Sequence, residues 1–408
     1  MDRATDLRWY DAMCEILTGA HLWRPEEVAP ALDEVVAPLG LRTRIWVVNY
    51  EQTSLTPLAQ TGPVPSALPV SGTLAGRVFT RVRSAADEPN QRLWVPMVDG
   101  TDRLGVIEFT GAYPDSQEKC ELIAGLVGHL MVSTRNRGDQ LERARRSQPM
   151  STAAELLWSV LPPLTASFDR AVVSAVLQPC YDVGGDGFDY AVDDGMLRLA
   201  VLDAVGRGLE AGLTCAVALA AIRSARRAGG ELADQARAVD QALSEQFGDS
   251  RFVTAVLAEL HLDTGRVRYI NAGHPAPIVL RDGRAVRELK GGRRLPLGLG
   301  VHEKSFEIAE EAFEPDDRLL LYTDGVTEAR TARGDRFGLA RMTDLVERGA
   351  KSGLPAPETL RRLALAALEH QGGPPADDAT LMMVEWSRAA SLNTVPSAAQ
   401  PDGEEETP

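Results

Sequence analysis

The sequence predicts an α+β protein made of two folded parts, and two observations support this fold class. Residues 1–137 combine amphipathic helical segments with strand-like runs such as RIWVVNY and RLGVIEFTG. From about residue 171 to residue 386 the chain is rich in apolar runs joined by short turn signals. The expected hairpin turns are DDG at 193–195, DTG at 263–265 and RDG at 281–283. The expected helices in this part lie near 209–228, 231–247 and 357–370.

Changes in composition divide the chain into four segments. The expected divisions are an α+β domain at 1–137, a helical linker at 138–165, a larger domain at 166–388 and a disordered tail at 389–408. The linker begins with the charged run NRGDQLERARRSQPM, which is typical of a solvated connecting helix. A second linker helix has a capping box at Thr152 and Glu155 and stops at Pro162. The tail lacks apolar periodicity, which predicts disorder.

The bulk composition disfavours several classes of partner. The formal net charge is −15, from 43 basic and 58 acidic residues, which argues against binding to nucleic acid or to an anionic membrane. The four cysteines have no metal-binding or disulfide spacing, and the longest uncharged apolar stretch, 212–222, is too short to span a bilayer. The first residues lack the apolar core of a signal peptide. We therefore expect a soluble, cytoplasmic protein.

The stretch VLDAVGRGLEAG, residues 201–212, has the shape of a nucleotide-binding glycine loop at a strand-to-helix junction. A dinucleotide fold requires a strand–helix–strand unit of about 30 residues. Here two helical segments follow the glycines, and no apolar strand begins until Phe252. The order is strand–helix–helix–strand, which disfavours a dinucleotide site and an oxidoreductase. The candidate functional residue of this stretch is therefore Asp203, which precedes the glycines.

Two aspartates are expected to face each other across the hairpin that contains this stretch. If Asp194 and Gly195 form a two-residue turn, cross-strand partners have residue numbers that add up to the same value, and Asp186 pairs with Asp203. Cβ atoms of such a pair lie about 5 Å apart. Two like charges at that distance are destabilising unless a cation or a proton lies between them.

Two further strands carry aspartates at their ends. The apolar run LLLY leads into Asp324, and Asp377 and Asp378 stand directly before the run ATLMMV. If these strands are antiparallel neighbours, their acids meet at one edge of a sheet. Each aspartate by itself is better explained as an ordinary turn residue. Together, without a histidine or cysteine cluster, the acids indicate hard, oxygen-preferring ions such as Mg²⁺ or Mn²⁺.

A series of motifs in this region resembles metal-dependent Ser/Thr protein phosphatases, and most closely the bacterial SpoIIE-type branch of the type 2C phosphatases. The motifs are VGGDGFDY (183–190), LDAVGRG (202–208), NAGHPAP (271–277), LYTDGVTEAR (321–330) and DDATLMMV (377–384). The resemblance covers about 220 residues and implies an α/β-β/α sandwich of two antiparallel sheets flanked by helices. It also implies a site for two Mn²⁺ or Mg²⁺ ions at one end of that sandwich.

The resemblance assigns roles to individual residues. Asp203 would bridge both ions, and the main-chain carbonyl of Ala204 would bind the second one. Asp324 and Asp377 would hold the first ion, and Asp186 would lie on the side of the second. Phosphate monoesters hydrolyse extremely slowly without a catalyst, and a two-metal site can activate water and bind the phosphoryl oxygens.

One motif position departs from the family pattern. Arg207 stands where the family usually has histidine, and it is either a contact to the substrate phosphate or a solvated residue at a helix start. His274 matches a family position, but a structural hydrogen bond that holds a tight turn is the preferred explanation. Gly185 and Asp378, beside the predicted ligands, are further candidates for contacts to the substrate or to the ligands.

Residues 1–137 resemble a GAF sensor domain. The similarity lies in SGTLAGRVFTR, residues 71–81, followed by RLWVPMVDGTDRLGVIEFTG. Such a domain can bind a small molecule, sense redox state or dimerise. Cys120 and His129 are explained as core or helix-face residues rather than as ligands of a chromophore or haem. By the same resemblance, a helix from about 118 to 161 would form a dimer-forming stalk, which predicts a homodimer.

The leading functional hypothesis is a Mn²⁺- or Mg²⁺-dependent protein Ser/Thr phosphatase regulated by its GAF-like domain. The resemblance implies that the substrate is a phosphorylated anti-sigma-factor antagonist of the STAS type. The signal acting on the GAF-like domain is an unknown small molecule or protein. The alternative is a catalytically weak pseudophosphatase that acts as a signalling scaffold.

Overall fold

The computed structural model describes residues 3–60, 62–112, 114–182, 184–299, 305–372 and 377–399. The chain divides into two compact units. The N-terminal unit contains Met1–Gln148 together with Leu392–Pro408, and the C-terminal unit contains Pro149–Ser391.

The N-terminal unit is built on one antiparallel sheet of six strands, in the order β3-β2-β1-β6-β5-β4. Its strands are β1 (Arg42–Val48), β2 (Ser54–Pro57), β3 (Leu68–Pro69), β4 (Ala85–Asp87), β5 (Arg92–Asp99) and β6 (Asp102–Thr110). Its helices are α1 (Arg3–Gly19), α2 (Val28–Val36), α3 (Leu74–Arg81), α4 (Gln117–Thr134) and α5 (Gln140–Arg145). Helices α1, α2 and α4 form a core with one face of the sheet, and α3 packs on the other face. The α+β class is confirmed for this unit.

The C-terminal unit contains two sheets of six strands each. The strands are β7 (Thr165–Phe168), β8 (Ala171–Gln178), β9 (Asp186–Asp193), β10 (Met196–Ala204), β11 (Val253–His261), β12 (Arg266–Ala272), β13 (Ile278–Arg281), β14 (Arg284–Glu288), β15 (Arg293–Arg294), β16 (Ala309–Ala312), β17 (Arg318–Tyr322) and β18 (Ala379–Glu385). The first sheet has the order β15-β12-β11-β10-β9, with β16 paired to β12, and the second has the order β14-β13-β17-β18-β8-β7. All pairings are antiparallel except the short one between β12 and β15. The three predicted hairpins, β9–β10, β11–β12 and β13–β14, are confirmed.

The main core of this unit lies between the two sheets. Phe188 and Val201 of the first sheet pack with Leu321 and Met382 of the second. The helices of the unit are α6 (Thr152–Val160), α7 (Gly208–Arg227), α8 (Leu232–Phe247), α9 (Asp324–Glu328), α10 (Gly338–Lys351) and α11 (Ala356–Gln371). Helices α9, α10 and α11 cover the outer face of the second sheet, while α7 and α8 pack against the first. The predicted sandwich of antiparallel sheets flanked by helices is therefore confirmed.

Three of these helices match the expected ones closely, whereas α10 has no counterpart among them. The expected helices near 209–228, 231–247 and 357–370 correspond to α7, α8 and α11. No side chain caps the start of α10, whose N-cap residue is Phe337. The usual sequence signal for a helix start is therefore missing there.

The expectation of one continuous helix from 118 to 161 is wrong. Helix α4 ends at Thr134, α5 is a separate short helix, and α6 begins only at Thr152. Gly138 has an extended backbone, and Pro149 lacks the N–H that a continuing helix would use. The cap of α6 also differs from the expected one, because Ser151 rather than Thr152 accepts the hydrogen bond, from the N–H of Ala154.

The first part of the tail contains secondary structure where the sequence predicts disorder. Residues 389–399 include most of a short helix, α12 (Arg388–Leu392), and a 3₁₀ turn, Ser397–Ala399. Arg83 donates hydrogen bonds to the side chains of Asn393 and Ser397, and Glu121 accepts one from the N–H of Ala398. These polar contacts hold a segment that has no apolar periodicity of its own. Residues 400–408 lie outside the described residues.

Helix α7 is the one described helix that is long and apolar enough, by length and composition alone, to cross a membrane. In the fold it packs against α6, α8 and the strands β9 and β10. Ala211, Cys215, Leu219 and Ile222 on this helix are buried. The apolar side of α7 therefore faces protein.

We predict that the ion pair between Asp240 and Arg294 is important for the stability of the C-terminal unit. Asp240 accepts hydrogen bonds from the Arg294 guanidinium at 2.6 Å and from the N–H of Gly298 at 2.8 Å, and both charged side chains are buried. Asp240→Leu removes the buried carboxylate that binds both Arg294 and the N–H of Gly298, so the free energy of unfolding should fall by about 3–5 kcal/mol in urea denaturation.

The double variant Asp240→Leu/Arg294→Met should lose less than Asp240→Leu alone, since it removes both charges of this buried pair. The matched control is Asp344→Leu on α10, which removes an exposed pair with Arg348 and should cost less than about 1 kcal/mol. Equal losses in Asp240→Leu and in the control would contradict the prediction.

Candidate metal centre

The hairpin between β9 and β10 brings the first two aspartates together. Asp194 and Gly195 both have positive φ angles, of 51° and 70°, as a two-residue type I′ turn requires. The turn sets a register in which Met196 pairs with Asp193 and Asp203 pairs directly with Asp186. The predicted cross-strand pairing of Asp186 with Asp203 is confirmed.

The second sheet delivers its acids to one edge, as the sequence predicts. Strands β17 and β18 are antiparallel neighbours, with Tyr322 paired to Leu381. Asp324 follows β17 at the start of α9, and Asp377 and Asp378 precede β18. The two segments come so close that a Cβ atom on Gly325 would overlap the main-chain carbonyl of Asp378. Glycine is therefore required after Asp324.

The carboxylate of Asp378 connects the two sheets. It accepts hydrogen bonds from the N–H of Gly184 at 2.6 and 2.8 Å, from Gly185 at 2.6 Å and from Asp186 at 3.2 Å. Three successive N–H groups of the segment before β9 are thus satisfied by one buried side chain of the other sheet. Asp378 positions the loop that carries Asp186.

Thr323 is a site residue that the sequence analysis does not single out. Its buried hydroxyl donates a hydrogen bond to Oδ2 of Asp186 at 2.6 Å and accepts one from the N–H of Thr380 at 2.8 Å. It therefore orients the Asp186 carboxylate from the opposite sheet. Its position directly before Asp324 in YTDG is the one sequence signal available for it.

Gly185 and Ala204 are in close backbone contact beside the paired aspartates. The N–H of Ala204 donates to the carbonyl of Gly185 at 3.1 Å. A Cβ atom on Gly185 would overlap the carbonyl oxygen of Ala204, which is the predicted main-chain ligand. A larger residue at position 185 would displace that carbonyl, so the role of Gly185 is to leave space for it.

The acids raise one another's pKa. Burial and the charges of Asp324, Asp377 and Asp378 raise the pKa of Asp203 to about 7. Burial, followed by the charges of Asp203 and Asp378, raises the pKa of Asp186 well above its ordinary value. Burial and the charge of Asp377 also raise the pKa of Asp324. The ionised forms therefore repel one another, and a cation among them would relieve this repulsion.

The donor set fits Mg²⁺ or Mn²⁺. Its members are carboxylates and one main-chain carbonyl, which are the oxygen ligands that these ions prefer. Among the described residues, no three His, Cys, Asp or Glu side chains converge closely enough to form a complete ion-binding cage. Binding an ion therefore requires the carboxylates to turn toward a common point.

Arg207 lies at the edge of the acidic group. It is the N-cap residue of α7, between Gly206 and Gly208, which have positive φ angles of 102° and 67°. Its side chain is 71% exposed, and its Nη2 atom lies 3.9 Å from Oδ2 of Asp377. The guanidinium is therefore open to solvent and close to one predicted ligand.

His274 is held as a structural residue. Its main-chain N–H donates to Oδ1 of Asn271 at 2.8 Å. Its ring Nδ1 lies 2.9 Å from the hydroxyl of Thr254. Burial lowers the pKa of His274 to about 4, so the ring is neutral near pH 7. Thr254 is the β11 partner of Asp203, so its side chain lies on the same face of the sheet and connects His274 to the strand pair that carries this acid.

The part of the chain that carries most of these acids matches a known protein family. Residues 193–387 match the family model of stage II sporulation protein E (SpoIIE). We call this part of the chain the SpoIIE-type domain, after the family model that it matches. The match includes Asp203, Asp324 and Asp377 and begins after Asp186.

The SpoIIE-type domain also has curated relatives in Bacillus subtilis. Phosphoserine phosphatase RsbU is 23% identical over 217 residues, which are 52% of this chain and 63% of RsbU. Phosphoserine phosphatase RsbP is 24% identical over 165 residues, which are 39% of this chain and 40% of RsbP. The chain thus spans less than two thirds of the length of both relatives.

Among solved structures, the SiaA-PP2C domain of Pseudomonas aeruginosa is 26% identical with a TM-score of 0.46. The similarity covers 52% of this chain and 85% of that domain.

We predict that replacing one acid stabilises the SpoIIE-type domain in the absence of divalent ions. At pH 8, Asp203→Asn removes a charge that its neighbours repel, and one pKa unit corresponds to about 1.4 kcal/mol. The free energy of unfolding should rise by about 1–3 kcal/mol. Each kcal/mol raises the melting temperature by about 2–4 °C for a domain of this size. Thermal unfolding in EDTA measures it.

The same variant should lose most of the stabilisation that millimolar Mn²⁺ gives the native protein, since a bound ion stabilises only the form that binds it. Asp344→Asn, an exposed acid on α10, is the matched control and should respond to Mn²⁺ like the native protein. If Asp203→Asn is less stable than the native protein in EDTA, the neighbouring acids do not repel Asp203 as proposed.

Proposed function

We propose that the SpoIIE-type domain is a Mn²⁺- or Mg²⁺-dependent protein Ser/Thr phosphatase. The observation that carries this proposal is the meeting of Asp186 and Asp203 of one sheet with Asp324 and Asp377 of the other. Their shared repulsion, together with the neighbouring main-chain carbonyl of Ala204, supports a site for two hard cations. The relatives RsbU and RsbP are named phosphoserine phosphatases, which supports the same reaction class.

Each residue has a proposed task in ion binding. Asp203 would bridge two ions, Asp324 and Asp377 would hold the first, and Asp186 and the carbonyl of Ala204 would hold the second. The ions would supply an activated water molecule and positive charge for the phosphoryl oxygens. No serine or cysteine nucleophile of the chain is required.

Residues around the ligands keep the site in place. Asp378 holds the loop before Asp186, and Thr323 orients the Asp186 carboxylate through its hydroxyl. Because each carboxylate is attached to the end of a strand in a packed sheet, backbone movement at the site is restricted. This arrangement suits a reaction that depends on placing water in line with the phosphorus–oxygen bond.

We propose a phosphorylated STAS-type anti-sigma-factor antagonist as the substrate, following the family resemblance. The N-terminal unit would regulate the phosphatase as a GAF-like domain that receives a small-molecule or protein signal. We also propose a cytoplasmic homodimer, although without the continuous helical stalk expected from the sequence.

A catalytically weak scaffold is the second candidate. One observation favours it, namely Arg207 at the position where the family usually has histidine. The retention of all four acids favours the enzyme.

The deciding experiment is release of phosphate from a phosphoserine peptide, measured with Mn²⁺, with Mg²⁺ and with EDTA. We predict activity that requires the divalent ion and falls at least about 100-fold in Asp203→Ala, since loss of several kcal/mol of metal-based stabilisation corresponds to that factor. Asp344→Ala is the control and should keep full activity. Activity in EDTA would contradict the metal mechanism. An inactive native protein, also toward p-nitrophenyl phosphate, would favour the scaffold.

For Arg207 we predict a role in binding the substrate phosphate. Arg207→Ala should raise KM for the phosphoserine peptide by roughly 10-fold or more, because a hydrogen bond between charged groups contributes about 1.5–3 kcal/mol. Arg207→Lys should recover part of the loss, since it keeps the charge without the two-pronged geometry. Steady-state kinetics measure both variants, with Arg348→Ala as an exposed control. An unchanged KM in Arg207→Ala would identify Arg207 as a solvated residue at the start of α7.

A further inference from the structure

The large apolar side chains that the C-terminal unit exposes are concentrated beside the candidate metal centre. Among the described residues of this unit, five such side chains are exposed, and four of them are leucines in two short segments. Leu209 and Leu213 lie on the first turns of α7, and Leu295 and Leu299 lie in the segment between β15 and β16. We call these four residues the leucine rim. The fifth exposed side chain, Val286, lies on the edge strand β14.

The α7 part of the leucine rim begins at the candidate metal centre. The Nη2 atom of Arg207, the N-cap residue of α7, lies 3.9 Å from Oδ2 of Asp377, and Leu209 follows Arg207 by two residues. Leu213 lies about one helical turn further along, so the two leucine side chains are neighbours on one face of the helix. Their exposed fractions are 46% and 42%, whereas the other described leucines in helices of this unit are buried or half-buried.

The second part of the leucine rim adjoins the strands that carry the acids. Leu297 lies between the two exposed leucines of this segment and exchanges two main-chain hydrogen bonds of 2.8 Å with Val253. Val253 is in turn the β11 partner of Ala204, the predicted main-chain ligand. Because neighbouring strands are about 4.8 Å apart, Leu297 lies roughly 10 Å from Ala204. Leu295 and Leu299 therefore lie close to the candidate metal centre on the β11 side.

Arg251 connects the two parts of the leucine rim. Its guanidinium pairs with Glu210 on the first turn of α7, and a Cβ atom on Gly206 would lie 3.0 Å from that guanidinium. Its main-chain carbonyl lies so close to Gly298 that a Cβ atom on this glycine would overlap it. The start of α7 and the segment 295–299 therefore adjoin each other beside the end of β10.

We propose that the leucine rim is the docking surface for apolar side chains that flank the phosphoserine of the protein substrate. This inference rests on the proposed phosphatase function, and the position of the leucine rim argues for this occupant. A partner bound to the leucine rim lies beside the predicted metal ligands, where a phosphoserine segment must enter. A second copy of the chain bound there would obstruct that entry.

The distances indicate where the apolar side chains stand in the substrate. An extended chain advances about 3.3 Å per residue, so a side chain roughly 10 Å from the phosphoserine is about three residues away from it. We therefore expect a large apolar residue about two to four positions before or after the phosphoserine. Contacts of this kind form equally in the ground state and in the transition state, so the leucine rim lowers KM rather than raising kcat.

The test compares two phosphoserine peptides as substrates of the full chain with Mn²⁺. One peptide carries leucine three positions before and three positions after the phosphoserine, and the other carries glutamine there. For the native protein, KM should be at least about fivefold lower for the leucine peptide, since burying part of a leucine side chain corresponds to roughly that factor. In Leu209→Gln/Leu213→Gln the two KM values should differ by less than about twofold, because most of the apolar contact is lost.

Leu122→Gln is the matched control. It replaces a leucine of 43% exposure on α4 and should keep the native ratio of the two KM values. Thermal unfolding of the double variant should match the native protein, since both replaced side chains are exposed. Using the ratio within each protein separates docking from any general change in activity.

A second measurement tests the leucine rim without turnover. Calorimetric titration with the same two peptides carrying unphosphorylated serine should show tighter binding of the leucine peptide, and the double variant should remove this preference. Hydrolysis of neither phosphopeptide would contradict the phosphatase function, whereas equal KM and equal binding of the two peptides would overturn the leucine rim as a docking surface. So would a preference that the double variant keeps. A double variant that keeps the preference and sediments as a smaller species would identify the leucine rim as an interface between copies of the chain.

Discussion

The architecture of the candidate metal centre depends on the Asp378 carboxylate and the three N–H groups that it binds. Asp378 belongs to the second sheet of the C-terminal unit, whereas Gly184, Gly185 and Asp186 lead into the first. Three hydrogen bonds to one buried carboxylate form a strong link, because each has a charged acceptor. Without this link, the N–H groups of Gly184, Gly185 and Asp186 would lose the acceptor that they share.

This link places negative charges close together at a cost in stability. The pKa of Asp186, Asp203, Asp324 and Asp378 is raised in each case, with burial as the largest cause. A protein selected for stability alone would replace several of these acids. Their retention in a rigid frame is typical of a functional site, where a ligand compensates for the repulsion. The glycines at 185 and 325 belong to the same frame, because they allow the backbone segments to approach.

The two units carry different kinds of chemistry. The C-terminal unit exposes oxygen donors at the ends of strands, and these suit metal ions and phosphate. The N-terminal unit holds a pocket on the face of its sheet, lined in part by Arg44, Trp46 and Trp94.

The features that depend on local geometry can be derived from the amino-acid sequence. The Asp194-Gly195 turn sets the register of its hairpin, so the pairing of Asp186 with Asp203 follows from counting residues. The positions of Asp324 and Asp377 at strand ends follow from the apolar runs beside them. Tertiary structure alone decided which strands are neighbours and what lies across from each acid. Asp378 and Thr323 bind partners more than 130 residues away along the chain, and no local pattern encodes such contacts. The interruption of the helix between α4 and α6 and the secondary structure of residues 389–399 also depend on tertiary contacts. Contacts between residues distant in sequence outweigh local propensity in both segments.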